Sequence, residues 1–335
     1  MIKMPRRKQG AQGVAATAAY EAQLTEWCQD IVRLNGRMDI KIGVRDWCYV
    51  LENEGSITKG EFDAAEKLIT ACRKNGNLPL DICAIDNGRP TNHVEYVDNT
   101  SVEEEAVWIC ERVRHAHLGY TPVSFWEHQK FYVEMAVEKI GLHSLFNPIC
   151  AEFCVAITNL SGWIDINTRA EMMERFAEWE AKKKVPVLLY CGDHDPDGLR
   201  ISDTLHKNFE DLSQAIGWRP DKLVVDRFGL DHKFIRQYRL TWIDGLETGA
   251  GLRLDDPRHR NHHLDYVQDY LKQFGARKVE ANALIVRQAA GRQLCREAIL
   301  RYVSVSAARK YRRWLRAEQE KVHTAVRRLL NEGTS

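Results

Sequence analysis

The sequence predicts an α/β fold in which a Rossmann-like parallel sheet follows a smaller helical domain. From residue 129 onward, apolar strand patterns alternate with amphipathic helix patterns, the order typical of a parallel sheet with helices on both faces. Residues 185–192, VPVLLYCG, form the continuous apolar run of a strand that is buried on both faces. The first 75 residues carry only helical patterns, and a chain of 335 residues has room for about two domains.

Three helices are predicted in the first part of the chain. The third begins at Thr58, and Glu61 three residues later completes the capping-box signature of a helix start. The helices are expected over 14–35, 43–54 and 58–75, and LPLDICAID at 78–86 is expected to be extended. Short helices with brief turns, followed by an extended segment, resemble a small winged-helix domain.

The second part of the chain contains the predicted sheet. Strands are expected over 131–139, 154–160, 185–192 and 221–228, and helices over 102–118, 141–153, 166–184, 197–215, 290–302 and 306–331. The polar, turn-rich residues 87–101 and 244–263 predict loops. These patterns divide the chain into a basic helical extension (1–36), a winged-helix domain (37–90), a linker and helix (91–124), the sheet domain (125–303) and a basic C-terminal helix (304–335).

Composition excludes several classes of protein. No run of about 18 apolar residues occurs, so no transmembrane helix is expected, and the basic start lacks the apolar segment of a signal peptide. We therefore expect a cytoplasmic protein without a membrane partner. The nine cysteines are scattered and include no CxxC pair, which argues against a disulfide framework or a zinc ribbon.

Basic residues cluster at both ends of the chain, although the net charge is only +1. The N-terminal cluster contains Lys3, Arg6, Arg7 and Lys8, and the C-terminal one contains Arg309, Lys310, Arg312, Arg313, Arg316, Lys321, Arg327 and Arg328. Such segments suit the phosphate backbone of a nucleic acid. A solvated helix face is an equally good interpretation of the C-terminal cluster.

Acidic side chains follow the apolar strand at 185–192 directly. Asp193 and Asp195 are two positions apart, so in an extended chain both project to the same side, whereas His194 points to the other. The carboxyl end of a parallel strand is where open α/β sheets bind their ligands. Paired carboxylates with room for water suit Mg²⁺. Capping of the following helix is the alternative role for these acids.

A third carboxylate is expected at the same edge of the sheet. Glu138 ends the predicted strand FYVEMAVE and is followed by Lys139. If the two strands are neighbours, Glu138 faces the aspartate pair, and three clustered acids repel one another strongly without a cation.

These motifs resemble the Toprim domain of topoisomerases, primases and some nucleases. The segments VEK, DHDPDGLRI, DRFGLDHKFIRQYRL and KVEANAL are most similar, in combination and order, to the topoisomerase VI A subunit, to the meiotic double-strand-break protein and to small phage and bacterial relatives of that family. The similarity runs from about residue 37 to about residue 300. Glu280 in KVEANAL matches a recurrent acid of the family, for which we expect a structural role or one that supports the metal ligands.

The resemblance also implies a tyrosine nucleophile. The winged-helix domain of that family carries the pattern Arg-Asp-hydrophobic-aromatic-Tyr, which matches Arg45-Asp46-Trp47-Cys48-Tyr49 except for the cysteine. Arg45 and Tyr49 share one face of a helix, so the arginine is expected to favour the phenolate and to contact the phosphate under attack. Without that resemblance, Tyr49 would be interpreted as an ordinary core residue.

The mechanism implied by the resemblance is cleavage of double-stranded DNA through a phosphotyrosyl link to Tyr49. Glu138, Asp193 and Asp195, expected from the other protomer of a homodimer, would hold Mg²⁺, and Asp197 would help to hold a second ion. Arg45 and Lys139 are candidate phosphate contacts. The chain has no GxxxxGK[ST] motif, so ATP-driven strand passage would need a separate ATPase subunit.

Two other functions stay open at this stage. A hydrolytic Toprim endonuclease would use water as the nucleophile, with Tyr49 as a bystander. A DNA-binding module would keep the acids but perform no chemistry.

Overall fold

The computed structural model describes residues 2–7, 13–84, 93, 95, 97, 99–160, 166–246 and 252–332. Lys8, much of the predicted linker over 87–101 and residues 247–251 of the predicted loop lie outside the described residues. The chain divides into two compact units. The sheet unit contains Met1–Ile85 and Val133–Ile299, and the helical unit contains Asp86–Tyr132 and Leu300–Ser335.

Helices dominate the first part of the chain, as predicted. They are α1 (Val14–Asn35), α2 (Val44–Asn53) and α3 (Phe62–Lys74) of the sheet unit, followed by α4 (Val102–His115) of the helical unit. The extended segment predicted over 78–86 is wrong where it is described, because Leu80–Ile82 form a 3-10 turn after Pro79. The turn buries Ile82, whose carbonyl accepts the indole N–H of Trp47 at 3.0 Å. Residues 37–84 thus contain helices and turns but no strand.

The predicted α/β class and parallel sheet are confirmed. Four strands, β1 (Phe131–Val137), β2 (Ala156–Asn159), β3 (Val185–Cys191) and β4 (Val224–Arg227), lie in the order β2-β1-β3-β4. The pairs of β1 with β2 and of β3 with β4 are parallel, with Met135 opposite Ile157 and Leu188 opposite Val225. All but the first residue of β1 and of β3 are buried, which explains their unbroken apolar sequences.

The connections of the sheet create a switch point between β1 and β3. Helix α5 (Ile140–Glu152) leads from β1 to β2, α6 (Ile166–Ala181) leads back to β3, and α7 (Pro196–Leu199), α8 (Ile201–Glu210) and α9 (Ser213–Ile216) lead to β4. The connections after β1 and β3 run in opposite directions, so right-handed crossovers place their helices on opposite faces. Ligands of such sheets bind outside the carboxyl ends of the two strands at which the direction reverses.

Five further elements of the sheet unit follow β4 along the chain. They are α10 (His232–Tyr238), β5 (Ile243–Asp244), α11 (Asp265–Phe274), β6 (Arg277–Lys278) and α12 (Gln288–Leu300). The short strands β5 and β6 pair in antiparallel fashion. Directly after β6, Val279 forms an antiparallel bridge with His194, so the segment that follows β6 lies beside the residues that follow β3.

Within the sheet unit, helix α2 packs against the 3-10 segment Ala281–Arg287. Polar contacts also join the region around α2 to the segment that contains the 3-10 turn and α12. Arg287 donates to the side chain of Asn53 at 2.8 Å, and Arg292 on α12 forms an ion pair with Asp39 at 2.7 Å. The segment that was predicted as winged-helix and the parallel sheet are therefore parts of one compact unit.

The helical unit is built around α4 and α13 (Val305–Glu332). Ser101 and Glu104 cap the start of α4 reciprocally. On α13, Tyr311 donates to the carbonyl of Val123 at 2.9 Å, and the ring of His323 stacks on that of His117 at 4.3 Å. In the part of the chain that the structure describes, no helix combines the length and apolar character needed to cross a membrane.

Candidate metal and nucleophile site

The two aspartates after β3 are held by backbone donors from different segments. Asp193 is buried, and its Oδ1 accepts the N–H of Ala281 at 2.8 Å. Asp195 begins α7, and its Oδ1 accepts the N–H of Gly198 at 2.6 Å. Arg227 at the end of β4 fixes the turn between them, because it donates to the backbone carbonyls of Asp193 and Gly198 at 3.1 and 2.8 Å. The turn that presents both carboxylates is thus rigidly supported.

His194 is turned into an aromatic cluster, as the alternation of an extended chain predicts. Its ring packs against Phe274 and Tyr270, and its Nδ1 is 2.6 Å from the carbonyl of Leu230. Burial lowers the pKa of His194 to about 4, so this side chain is neutral at physiological pH. His194 therefore packs below the acids and adds no positive charge to them.

We expect Gly198→Ala to destabilise the protein by about 1–3 kcal/mol, the usual cost of overpacking. A Cβ at this position would overlap the backbone carbonyl oxygen of Asp193 and the Oδ1 of Asp195. A backbone atom cannot swing aside, so the turn itself would shift. Urea unfolding would measure the loss. Gly60→Ala is the matched control, since a Cβ there meets nothing within 4 Å, and equal stability of the two variants would contradict the prediction.

Glu138 follows β1 and lies across the switch point from the aspartates. Its backbone N–H is 3.4 Å from the carbonyl of Cys191, the last residue of β3. The Lys139 ammonium is 2.5 Å from the Oε1 of Glu138 and 3.9 Å from the Oδ2 of Asp193. The chain's own cation therefore lies between two of the predicted metal ligands.

The acids of this edge influence one another's ionisation. Burial, followed by the negative charge of Glu138, raises the pKa of Asp193 to about 7, although Lys139 opposes the shift. Burial also raises the pKa of Asp195, and the hydrogen bond from Gly198 opposes it. A carboxyl group whose pKa is raised in this way gains stability as an anion from any cation that binds beside it.

These carboxylates line a cleft of about 620 Å³. Asp197 also lines it, and its Oδ1 accepts the hydroxyl of Tyr266 at 2.9 Å. Arg200 lies over the ring of Tyr266, 5.1 Å from its centroid, and places a positive charge at the same cleft. The cleft is thus lined by acidic side chains together with an arginine and a tyrosine.

The donor set fits a divalent cation such as Mg²⁺ in charge and in ligand type, because carboxylate oxygens are the protein ligands that this ion prefers. Among the described residues, no three acidic, histidine or cysteine side chains are already close enough together to hold a metal. The Lys139 ammonium pairs with Glu138 and lies 3.9 Å from Asp193, so a divalent ion bound between these acids would have to displace it.

Tyr49 lies on α2, with its ring in the core and its hydroxyl facing Glu280, two residues after β6. The side chain is 2% exposed, packs edge-on against Phe62, and donates its hydroxyl proton to the Oε2 of Glu280. The neighbouring residue, Ala281, donates its N–H to Asp193. The predicted nucleophile and the predicted metal ligands of one chain are therefore connected by two hydrogen bonds and one peptide unit.

Arg45 favours the phenolate of Tyr49, as the sequence suggested, but stronger effects oppose it. Burial and the nearby charge of Glu280 raise the pKa of Tyr49 well above its ordinary value, and the opposing effect of Arg45 is smaller. Arg45 pairs mainly with Glu66 at 2.7 Å and lies 3.9 Å from Glu280. The Tyr49 hydroxyl is therefore protonated in the resting protein.

Two residues near the site were not predicted from the sequence. Arg227 ends a strand, where its role as a clamp on a neighbouring turn leaves no local signal. Lys59 places its ammonium over the rings of Tyr49 and Phe62, at 3.9 and 4.1 Å from their centroids. Burial lowers the pKa of Lys59 to about 8. Its position at the start of a helix suggested only a capping segment.

The N-terminal basic cluster is bound within its own unit where it is described. Lys3 donates to the carbonyl of Gly55 at 2.7 Å, Arg6 pairs with Glu61, and Arg7 lies over the ring of Tyr20. These contacts anchor the start of the chain to the helices, and they weaken the interpretation of this cluster as a dedicated phosphate-binding arm.

Comparison with protein-family models, with curated proteins and with solved structures found no match to this chain. The acidic cleft and the buried tyrosine beside it are therefore the observations from which a function can be inferred.

Proposed function

We propose that this protein cleaves double-stranded DNA in a Mg²⁺-dependent transesterification that joins Tyr49 to the broken end. The observation that carries this proposal is the line of contacts from the Tyr49 hydroxyl through Glu280 and Ala281 to Asp193. It brings a potential nucleophile and a cluster of hard carboxylate ligands into one compact unit. Those are the two parts that phosphoryl transfer to a protein hydroxyl requires.

Glu138, Asp193 and Asp195 would hold the ion, and Asp197 would help with a second one. Bound Mg²⁺ would supply stabilisation of the negative charge that develops on the phosphate and on the departing oxygen. The strands β1 and β3 end at the switch point, so the carboxylates approach a common position from two rigid elements.

The other residues of the site would bind and orient the DNA. The Tyr49 oxygen forms a bond to phosphorus, and the bridging DNA oxygen leaves with its electron pair. Arg45 lies one helical turn before Tyr49 and can hold a phosphate through two parallel hydrogen bonds. Its present partners, Glu66 and Asp63, are partly and largely exposed, so these ion pairs are weak enough to be exchanged for DNA. Lys139 is a second candidate contact to the phosphate.

A Toprim-type sheet domain and a winged-helix-type domain are part of this proposal. Its support is the order of the acids at the switch point and the segment from Arg45 to Tyr49, whereas residues 37–84 contain no strand that could serve as a wing. The proposal includes a homodimer that cuts both strands, with a separate ATPase subunit for any strand passage. The hydrogen bond of Tyr49 to Glu280, next to the residue that donates to Asp193 of the same chain, favours action within one chain rather than across the dimer.

A hydrolytic endonuclease is the second candidate, and one observation favours it. Tyr49 is buried, and its proton is held by Glu280. In that case Tyr49 would serve packing alone, and water in the acidic cleft would attack the phosphate. A module that binds DNA without chemistry is the third candidate.

The test is cleavage of supercoiled plasmid with Mg²⁺, stopped with detergent and analysed with and without protease. We expect linear DNA that carries protease-sensitive protein from the wild type, and none from Tyr49→Phe or Asp193→Ala. Tyr20→Phe and Asp221→Ala are the matched controls, because Tyr20 lies on α1 in contact with Arg7 and Asp221 is an exposed partner of Arg219. Both controls should cut like the wild type.

The outcomes separate the candidates. Protein-free cuts that survive Tyr49→Phe but not Asp193→Ala would establish the hydrolytic enzyme. DNA binding without cuts at any Mg²⁺ concentration would establish the binding module. Restored cleavage in a mixture of the Tyr49→Phe and Asp193→Ala proteins would show that the nucleophile and the acids act across a dimer.

A further inference from the structure

The two oxygens of the Glu280 carboxylate contact different groups. Oε2 accepts the hydroxyl proton of Tyr49. Oε1 faces two cations, with the Lys278 ammonium at 3.5 Å and the Arg45 guanidinium at 3.9 Å. Burial opposes ionisation of Glu280, but the hydrogen bond from Tyr49 and these positive charges outweigh it and lower the pKa of Glu280. An ionised carboxylate is thus held against the one atom of Tyr49 that can react.

A free phenolate would be unfavourable at this position. It would be buried and would lie beside the negative charge of Glu280. The proton must therefore leave the Tyr49 oxygen while the bond to phosphorus forms, and the acceptor must already be in hydrogen-bond contact. Glu280 meets that geometric requirement.

We propose that Glu280 is the general base that accepts the Tyr49 proton during DNA cleavage and returns it during religation. This assignment rests on the proposed function. As the bond from the Tyr49 oxygen to phosphorus forms, the bridging bond from phosphorus to DNA oxygen breaks, and its electron pair stays on that oxygen. The phenolic proton passes to Glu280, and the departing DNA oxygen takes a proton from water. In the reverse direction, protonated Glu280 gives its proton to the Tyr49 oxygen as it leaves phosphorus.

Lys59 is a second titratable group in contact with Tyr49. Its ammonium lies over the face of the ring, 3.9 Å from the centroid, and not at the hydroxyl. A cation over the ring stabilises developing negative charge, but it cannot accept the proton while it is charged. The proton transfer is therefore assigned to Glu280 and not to Lys59.

The deciding variant is Glu280→Gln. Glutamine can still accept the hydrogen bond from Tyr49 through its amide oxygen, but it cannot take the proton. We expect the single-turnover rate of covalent adduct formation, measured at saturating DNA and Mg²⁺, to fall by about 10²–10⁴-fold, the usual contribution of a general base. Glu66→Gln is the matched control. Glu66 pairs with Arg45, as Glu280 does, whereas the Tyr49 hydroxyl donates to Glu280.

A second nucleophile separates proton transfer from packing. With 3,5-difluorotyrosine at position 49, the phenol is more acidic and needs less help from a base. The loss caused by Glu280→Gln should then shrink by at least about tenfold relative to ordinary Tyr49. A purely structural role would give the same fold-loss with either nucleophile and would overturn the assignment, as would an adduct rate in Glu280→Gln equal to the wild-type rate.

The proposed function can fail separately from this assignment. Absence of any covalent adduct in the wild type under the same conditions would overturn the proposed function, and the role of Glu280 with it. A wild-type adduct combined with an insensitive Glu280→Gln variant would overturn the role of Glu280 alone. Thermal unfolding and DNA binding of each variant, measured in parallel, would identify a loss of folding as the cause of inactivity.

Discussion

Asp193→Asn is expected to raise the melting temperature of the protein in chelator and to remove both its stabilisation by Mg²⁺ and its cleavage activity. The wild-type carboxyl is buried beside Glu138, and its pKa is raised to about 7. At pH 8 the buried anion costs stability, on the order of a few kcal/mol by linkage. Asparagine removes that charge and can still accept the N–H of Ala281 through its Oδ1.

The sign of the effect follows from proton linkage. The folded state holds the Asp193 proton more tightly than the unfolded state, in which the carboxyl group has its ordinary pKa of 3.8. The contribution of Asp193 to stability is therefore fully present below pH 3.8 and is lost as the pH rises to about 7 and beyond. Asp193→Asn should remove this part of the pH dependence, so the variant gains most over the wild type above pH 7.

Unfolding by urea at pH 5 and pH 8, with EDTA or with Mg²⁺, would measure these differences. Mg²⁺ should stabilise the wild type more at pH 8 than at pH 5, and should leave Asp193→Asn nearly unchanged. Asp221→Asn is the control for a surface carboxylate. An equal Mg²⁺-dependent gain in stability for the wild type and Asp193→Asn would contradict a metal site at Asp193.

The position of the acidic edge was predictable because it depends on local patterns. The apolar sequences of β1 and β3 fix where these strands end, and alternation along an extended chain decides which neighbours share a side. That reasoning placed Asp193 and Asp195 together and turned His194 into the core. The placement of Glu138 opposite the aspartates required in addition only that β1 and β3 be neighbours, as they are in this sheet.

Contacts between distant segments were not predictable in the same way. Tyr49 and Glu280 are 231 positions apart, and no local pattern indicates that α2 lies against the segment after β6. The place of Lys139 between Glu138 and Asp193 was not predictable either, because it depends on side-chain geometry. The single helix predicted over 197–215 is three short helices, since breaks at Arg200 and Leu212 interrupt a pattern that remains apolar on one face.

The second large effect is expected at an ion pair between a fully buried glutamate of the sheet and a partly exposed arginine. Glu134 on β1 is fully buried and is held by Arg175 on α6 through two hydrogen bonds of 2.7 and 2.9 Å. Arg175→Met should destabilise the protein by about 3–5 kcal/mol, because it leaves a buried carboxylate without its charged partner. The exposed pair of Glu178 and Lys182, at the end of α6, gives the comparison.

Removing both charges should cost far less than removing one. A Glu134→Met, Arg175→Met double variant replaces the pair by apolar side chains, which is often neutral or stabilising for buried pairs. Lys182→Met should change the free energy of unfolding by about 1 kcal/mol or less, since its pair is exposed. Urea unfolding of the three variants measures this order of effects.

This order of stabilities also concerns the site, because Glu134 lies on β1, which directly precedes Glu138. A pair that serves only stability predicts that the double variant keeps Mg²⁺-dependent cleavage at the wild-type rate. Loss of cleavage in a double variant that folds with near wild-type stability would instead show that Arg175 fixes the position of β1, and thereby of Glu138, at the acidic edge. An Arg175→Met variant as stable as Lys182→Met would contradict the energetic role of the buried pair.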